Sequence, residues 1–240
     1  MIHNQSNKNN IDAVILCGGK GTRLHPVVPN MQKCVADIGG KPFLDILIDM
    51  LVLHNFRRII LAIGYLSEQV IEYAENRDDF NAEFSFEEKP LGTGGALKNT
   101  KRLIKSDHFL VMNGDSFCPV HLPNFYDFHF GNNTLFSLVA SKMQDVSDYG
   151  SIEIDDFGRI IGFYEKESRT GEGFVNAGVY LMRKDIFDHM PDEDFFSLEQ
   201  DLFPKLLDKD CYTYVVDGKF FDIGTPERYA EAQKILSELI

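Results

Sequence analysis

A glycine-rich segment with two cations is the first part of the sequence that could carry out chemistry. Residues 16–24 read LCGGKGTRL. Glycines let a backbone approach a ligand and point N–H groups at phosphate oxygens, and Arg23 can bind a phosphate through two parallel hydrogen bonds. The order of Lys20, Gly21 and Thr22 does not fit a P-loop, and Leu24 stands where a dinucleotide fingerprint needs glycine. The segment therefore predicts a phosphate-binding turn of another type, with a plain glycine turn bearing solvated cations as the alternative.

The elements that position this segment can be predicted from apolar periodicity. Short apolar runs are predicted as buried strands, and runs with a helical period as helices, with Ser67 a candidate N-cap. Strands are predicted at residues 12–16, 58–63, 82–86 and 109–112, and helices at residues 42–55, 67–76 and 94–104. Apolar strands that alternate with helices indicate a mostly parallel sheet covered on both faces.

The second half of the chain has a different pattern. Strands are predicted at residues 135–140 and 179–182, and a hairpin at residues 152–164 with its turn at 155–158. A capping-box pattern at residues 197–200 predicts a helix to about residue 207, and Thr225 and Pro226 predict the start of a C-terminal helix. We therefore expect one α/β domain over residues 12–240, with a mixed, mainly parallel sheet, after a flexible tail at residues 1–11.

Composition excludes several classes of function. The net charge is −13, which is unsuited to binding nucleic acid because phosphate neutralisation needs clustered Lys and Arg. The chain has neither an apolar signal segment at its start nor a run of 18 apolar residues, so we expect no membrane partner. The four cysteines lack CxxC spacing, which is typical of free thiols in a reducing compartment, and we expect a cytoplasmic protein.

The glycine segment resembles the GG-x-GTRL signature of the sugar nucleotidyltransferases. The likeness extends from Asp12 to about Ala232, with further motifs in the family's order. It implies a Rossmann-like three-layer αβα nucleotidyltransferase domain that joins a sugar 1-phosphate to a nucleoside triphosphate and releases pyrophosphate. It also implies a catalytic role for Arg23, and nucleotide contacts at Cys17, Gly18, Gly19, Gly21 and Thr22.

A lysine after the glycine segment is the next point of resemblance. In the family a Pro-Lys-Pro segment supplies a lysine to the phosphates, whereas this chain has Gln32, Lys33 and Cys34. The resemblance implies a catalytic phosphate contact at Lys33. Without proline to fix φ, we expect the lysine to lie on a less stiff loop than in the family. An exposed lysine without a role is the alternative.

Residues 88–97, which read EKPLGTGGAL, resemble the family's base-binding segment. This implies nucleotide contacts at Glu88, Gly92 and Thr93, and at Asn113 further along the chain. A carboxylate can accept from both adjacent donors of guanine, whereas an amide suits uracil and thymine. Glu88, or its neighbour Glu87, therefore favours GTP, although two adjacent glutamates at a strand end are often simply solvated.

Two aspartates far apart in the sequence are candidate metal ligands. Asp115 follows a predicted parallel strand, at the edge where α/β folds bind ligands, and Asp222 precedes the last helix. Either aspartate alone is typical of a turn or a cap. The resemblance implies that together they hold Mg²⁺, which usually takes one or two carboxylates besides phosphate oxygens and water.

The resemblance assigns the sugar phosphate to Gly150, Glu165, Lys166 and Asn176, with Lys166 also catalytic. The compact length and the segments PLGTGGAL and VNAGVYL are most similar to the D-glycero-α-D-manno-heptose 1-phosphate guanylyltransferases, which make GDP-heptose for bacterial surface glycans. We therefore expect GTP and this sugar 1-phosphate as partners. A homodimer stays open.

Three alternatives remain at this point. A mannose-1-phosphate guanylyltransferase, or a uridylyl-, thymidylyl- or cytidylyltransferase, would share the fold and the mechanism. An inactive module that senses a nucleotide sugar would not need both Asp115 and Asp222. A metal-dependent glycosyltransferase would have a D-x-D motif, which residues 113–115 do not supply.

Overall fold

The computed structural model describes residues 11–236, so of the predicted tail only Ile11 lies within it. The helices are α1 (Phe43–Leu53), α2 (Ser67–Glu75), α3 (Gly92–Asn99), α4 (Leu122–Asn132) and α5 (Pro226–Leu236). The strands are β1 (Asp12–Leu16), β2 (Asp37–Ile38), β3 (Lys41–Pro42), β4 (Arg58–Ile63), β5 (Asn81–Phe86), β6 (His108–Asn113), β7 (Ser116–Phe117), β8 (Phe136–Met143), β9 (Ser151–Ile154), β10 (Ile160–Tyr164), β11 (Gly173–Arg183), β12 (Cys211–Val216) and β13 (Phe221–Asp222).

A nine-stranded mixed sheet lies at the centre. Its order is β10-β9-β11-β6-β1-β4-β5, and β8 connects β11 to β12. The strands β5, β4, β1 and β6 are parallel, whereas β11 runs antiparallel to β6. Leu16 pairs with Asn113 at the carboxyl ends of β1 and β6. The segments that follow these two strands therefore leave the sheet at the same edge.

Helices cover both faces of this sheet. Ala13 and Ile15 of β1 pack into the core beneath α1, α2, α4 and α5, whereas Val14 between them packs into the core beneath α3 and the short helices of residues 184–206. This alternation is the two-residue period of a strand buried on both sides. The predicted three-layer αβα architecture with a mixed, mainly parallel sheet is confirmed.

The predicted N-cap of α2 and the predicted bounds of α3 were wrong. α2 does begin at residue 67 as predicted, but Ser67 is its first helical residue, and Leu66 takes the N-cap position in the left-handed region with φ of 49°. α3 begins two residues earlier than predicted, at Gly92, and ends at Asn99. Beyond that end, the Thr100 hydroxyl donates to the carbonyl oxygen of Leu97 at 2.7 Å and so competes with the backbone for its acceptor.

The helix predicted after the capping box is not an α-helix. Ser197 does cap it, accepting from the N–H groups of Glu199 and Gln200 at 3.2 Å each. The segment then forms a π-helical turn (Leu198–Leu202) followed by a 3₁₀-helix (Phe203–Leu206). Pro204 lies in the first turn of the second piece, and its missing N–H prevents continuous α-helical bonding through this point.

Several elements were missed or predicted too short, among them the two-residue strands β2, β3, β7 and β13. No element was predicted for α4 or β12, and β11 extends over 11 residues where four were predicted. Both β11 and β12 pair with β8, so non-local partners rather than local pattern determine their extent.

Between Ile11 and Leu236, no helix combines the length and apolarity that crossing a bilayer requires.

A buried pair of histidines joins α4 to the sheet. His129 of α4 is fully buried, with its Nδ1 3.0 Å from the Ser137 hydroxyl and its Nε2 2.9 Å from Nδ1 of His108. Burial, reinforced by His108 and Arg183, lowers the pKa of His129 to about 3. The pair therefore packs in its neutral form, at the end of β6 that is remote from residues 113–115.

This pair predicts acid sensitivity of the fold. In the unfolded chain His129 becomes protonated below pH 6.5, whereas in the folded chain it stays neutral down to about pH 3. The free energy of unfolding therefore falls as the pH falls from 6.5 towards 3. The loss from this residue is at most about 1.4 kcal/mol per pH unit. Urea unfolding of the wild type and of His129→Gln between pH 7.5 and 5 should show a shallower pH dependence in the variant. Parallel curves would contradict this assignment.

Candidate active site

The glycine loop lines one wall of a cavity of about 800 Å³ at the carboxyl edge of the parallel strands. The N–H of Cys17 still donates to the carbonyl of Ala62, and the next backbone N–H with a backbone acceptor is that of Leu24, which donates to Gly21. Among residues 11–236, the N–H groups of residues 18–23 have no backbone acceptor. Because unpaired backbone donors are costly, such a run is suited to bind an anion.

A glutamate packs directly on this loop. A Cβ built on Gly18 would lie 1.9 Å from Oε1 of Glu87, so a side chain at this position would displace that carboxylate from the loop. The N–H of Leu91 donates to Glu87 at 3.3 Å, and burial raises the pKa of Glu87. Glu88 also lines the cavity, but it is exposed. Of the two adjacent glutamates, the structure thus brings Glu87 rather than Glu88 against the loop.

The two predicted metal ligands are brought together by a short antiparallel ladder. β13 pairs with β7 so that Asp222 lies opposite Ser116, and the N–H of Ile223 donates to the carbonyl of Asp115 at 3.0 Å. Asp115 follows β6 directly and Asp222 precedes α5, so the ladder joins the centre of the sheet to the last helix. Asp115 lines the cavity, and Asp222 Oδ1 borders the space beside Gly224 that Lys33, the partner of Asp115, also borders, although the two aspartates are distant in sequence.

Cations hold both carboxylates. Lys33 Nζ lies 2.7 Å from Asp115 Oδ2. Desolvation of the carboxylate would raise the pKa of Asp115, but the positive charges of Lys33 and Arg23 outweigh this effect and hold the pKa below its usual value. Asp222 accepts from the N–H of Gly224 at 2.7 Å and from Arg228 Nη1 at 2.8 Å.

Arg228 was not predicted from the sequence. Its guanidinium lies 4.2 Å from the centre of the Tyr149 ring and donates to the carbonyl of Asp148 at 2.8 Å, so it connects Asp222 to the segment before Gly150. The sequence offered one indication of this role, because Arg228 lies in the first turn of α5. The helix dipole disfavours a cation there unless an anion lies close by.

The donor set fits a divalent cation of the magnesium type. Two carboxylates with further oxygens from substrate phosphates and water match the coordination that Mg²⁺ usually has. In the described part of the chain, no cluster of three or more His, Cys, Asp or Glu side chains forms a separate metal cage. Residues Asp115 and Asp222 are therefore the ones that could hold such an ion.

The four predicted sugar residues do not line the wall of the cavity. Lys166 is exposed, and its pKa is lowered by partial desolvation and by the charges of Arg23 and Arg228, so its ammonium lies near these two guanidinium groups. The N–H of Asn176 donates to the carbonyl of Gly150 at 3.2 Å, so these two residues are adjacent, whereas Glu165 is exposed. The side-chain amide of Asn176 bonds to the Tyr180 hydroxyl and to the Gly178 N–H.

The nucleotide contacts predicted outside the glycine loop line the cavity, unlike the predicted sugar residues. Gly92, Thr93 and Asn113 are part of its wall. The Thr93 hydroxyl donates to Glu199 at 2.8 Å and accepts from the N–H of Leu198 at 2.9 Å, so its side chain holds a neighbouring segment in place. In the first turn of α3, the N–H groups of Gly94 and Gly95 both donate to the carbonyl of Phe196, at 3.0 and 3.3 Å.

Comparisons with known proteins agree with this geometry. The family model described as Nucleotidyl transferase matches residues 12–238. The D-glycero-alpha-D-manno-heptose 1-phosphate guanylyltransferase of Campylobacter jejuni is 36% identical, covering 91% of this chain and 97% of that protein. The enzyme of the same name from Aneurinibacillus thermoaerophilus is 36% identical, covering 96% and 100%.

A solved structure is similar throughout. HddC from Yersinia pseudotuberculosis, complexed with GMP-PN, has a TM-score of 0.84 and 35% identity, covering 95% of this chain and 100% of that chain. The family match, the relatives and the fold extend over nearly all of the described residues. The chain therefore belongs to the nucleotidyl transferase family.

Proposed function

We propose that the protein transfers a guanylyl group from GTP to D-glycero-α-D-manno-heptose 1-phosphate, forming GDP-heptose and pyrophosphate for bacterial surface glycans. One observation carries this proposal: unpaired loop amides, Arg23, Lys33 and Asp115 line a single cavity, and Asp222, paired with Arg228, borders the same space beside Gly224. The sugar is supported by two relatives of that name that match nearly end to end. The base is supported by a similar structure that was solved with GMP-PN.

The triphosphate has an anion-binding wall available to it. The N–H groups of residues 18–23 are free to donate to phosphate oxygens. Arg23 Nη2 and Lys33 Nζ lie within 3.7 and 3.6 Å of a Cβ built on Gly224, so both cations border the same small volume. We assign to Arg23 the stabilisation of negative charge on the transferring phosphoryl group and on the departing pyrophosphate.

The attacking group needs no general base, because a sugar 1-phosphate oxygen is already an anion. The obstacle is repulsion between two anions, so positioning and charge neutralisation supply the catalysis. Asp115 and Asp222 would hold a divalent cation, which we propose to be Mg²⁺; when bound, it would supply neutralisation of phosphate charge. Lys166 binds the incoming sugar phosphate, and Lys33 and Arg228 hold the two carboxylates in place.

We assign base selection to Glu87. Its carboxylate lies against Gly18, and Leu91 donates one hydrogen bond to it, which leaves lone pairs for the N1–H and N2–H₂ donors of guanine. An exposed side chain such as Glu88 has water as a competing partner, so its hydrogen bonds discriminate less.

We also propose that the protein acts in the cytoplasm. Cys17, Cys34, Cys118 and Cys211 are all buried and none forms a disulfide. Free thiols persist where the compartment is reducing, which is consistent with an enzyme that uses GTP from the cytoplasmic pool.

The proposed function is tested by a substrate matrix. Four nucleoside triphosphates are combined with heptose, mannose, glucose and N-acetylglucosamine 1-phosphates in the presence of Mg²⁺, and pyrophosphate release is measured. We expect the highest kcat/KM for GTP with the heptose phosphate. Release with another pair would retain the reaction and refute the substrate. A folded protein that binds nucleotide but releases no pyrophosphate would favour the sensing module.

Two substitutions test the catalytic centre. Arg23→Ala and Asp222→Asn should each lower kcat at least about 100-fold, because each removes a preorganised charge contact. Arg159→Ala and Asp210→Asn are matched controls, since these residues form an exposed ion pair with each other, distant from the cavity. Near-normal turnover of either active-site variant would refute its assigned role.

The adjacent glutamates supply an internal control for base selection. Glu87→Gln should lower the ratio of kcat/KM for GTP to that for UTP at least about tenfold, because an amide suits uracil and offers guanine only one acceptor. Glu88→Gln should leave this ratio within about twofold, as expected for an exposed group. Equal effects of the two substitutions would refute the choice of Glu87.

A further inference from the structure

Gln32 is a buried polar residue beside the glycine loop, and it has no direct role in the proposed reaction. It precedes Lys33 and caps the 3₁₀ turn Lys33–Val35, with φ of −68° and ψ of 130°. Its exposure is 2%. A buried primary amide has two donors and one acceptor to satisfy, and each one left unpaired is costly.

The side-chain amide of Gln32 joins two parts of the site. Nε2 donates to the carbonyl oxygens of Cys17 and of Gly19, the latter at 3.2 Å, so it holds the loop on both sides of Gly18. Oε1 accepts from the N–H of Cys34 at 2.7 Å. One amide therefore ties the glycine loop to the turn that carries Lys33.

A second glutamine anchors the first. Gln69 of α2 accepts from the backbone N–H of Gln32 at 2.7 Å and donates to the carbonyl of Asn30 at 2.9 Å. The segment before Lys33 is thus fixed to a helix packed on the sheet. The φ of Gln32 is close to the value that proline imposes, so hydrogen bonds here maintain a conformation that a proline ring would fix covalently. The expectation of a less stiff loop around Lys33 is therefore not supported by this geometry.

These bonds determine which way the loop amides point. In a planar trans peptide, C=O and N–H point in opposite directions. The carbonyls of Cys17 and Gly19 point at Gln32, so the N–H groups of Gly18 and Lys20 point away from it. Neither N–H has a backbone acceptor among the described residues, and both residues line the cavity. The amide of Gln32 thus orients donors that are free to meet phosphate.

We propose that Gln32 is a positioning residue that holds the glycine loop in its phosphate-binding conformation and in register with Lys33. It acts through the backbone carbonyls and does not itself contact substrate. The inference rests on the proposed function for the identity of the ligand, the triphosphate. Gln32 alone would preorganise the triphosphate subsite, and the sugar-phosphate subsite around Lys166 would not depend on it.

The sharpest test is Gln32→Glu, which keeps size and the acceptor for Cys34 but removes both donors. A carboxylate would then face two carbonyl oxygens. At pH 8 we expect GTP affinity, measured by calorimetry without sugar phosphate, to fall at least about tenfold. At pH 6 this deficit should shrink, because a buried carboxyl becomes protonated readily and then donates one bond.

The chain offers a matched control. Gln233→Glu removes a similar bond, from Nε2 to the carbonyl of Asp37 at 3.2 Å, on α5 and outside the cavity wall. It should leave GTP affinity within about twofold at both pH values. In steady-state assays Gln32→Glu should raise the KM for GTP but leave the KM for sugar phosphate within about threefold, which a general loss of stability would not do.

A milder variant keeps the inference testable if Gln32→Glu does not fold. Gln69→Leu removes only the outer anchor of the segment and should weaken GTP binding several-fold in the same direction. Unchanged GTP affinity in folded Gln32→Glu, or equal rises in both KM values, would overturn the role of Gln32 alone. A folded wild type that binds no triphosphate would instead contradict the proposed function.

Discussion

The placement of two carboxylates among the cations of one site is the constraint on which the rest of the site depends. Asp115 and Asp222 are positioned by the ladder between β7 and β13, and carboxylates in one region repel each other. Lys33 and Arg228 offset that repulsion by pairing with one carboxylate each. The charges of Lys33 and Arg23 hold the pKa of Asp115 below its usual value, which favours the ionised state that a divalent cation requires.

The same constraint explains why several elements converge at one edge of the sheet. Lys33 is supplied by the turn after the glycine loop, Asp115 by the segment after β6, and Arg228 by the first turn of α5. Since β1 and β6 are adjacent and parallel, their carboxyl ends deliver the loop and Asp115 to one place. Positive charge is focused there although the chain as a whole is acidic, at −13.

The loop amides and the two carboxylates have complementary requirements for a ligand. Unpaired N–H groups are unfavourable unless an anion or water meets them, and paired carboxylates are unfavourable without cations. A nucleoside triphosphate with a divalent ion would satisfy both. Gln32 and Glu87 occupy opposite roles beside the loop: Gln32 bonds to its carbonyls, whereas Glu87 packs over Gly18, where a base edge could be met.

Local sequence was sufficient for the glycine loop, the parallel strands and the hairpin, because each depends on neighbours close in the chain. The pairing of Asp115 with Asp222, and the grouping of Lys33 and Lys166 with Arg23, were predicted only through the resemblance of motifs distant in sequence. Tertiary structure alone decided that Glu87 and not Glu88 lies on the loop, that Arg228 pairs with Asp222, and that Gln32 bonds the glycine loop to the turn of Lys33. These contacts depend on burial and on side-chain hydrogen bonds, which a local sequence pattern does not encode.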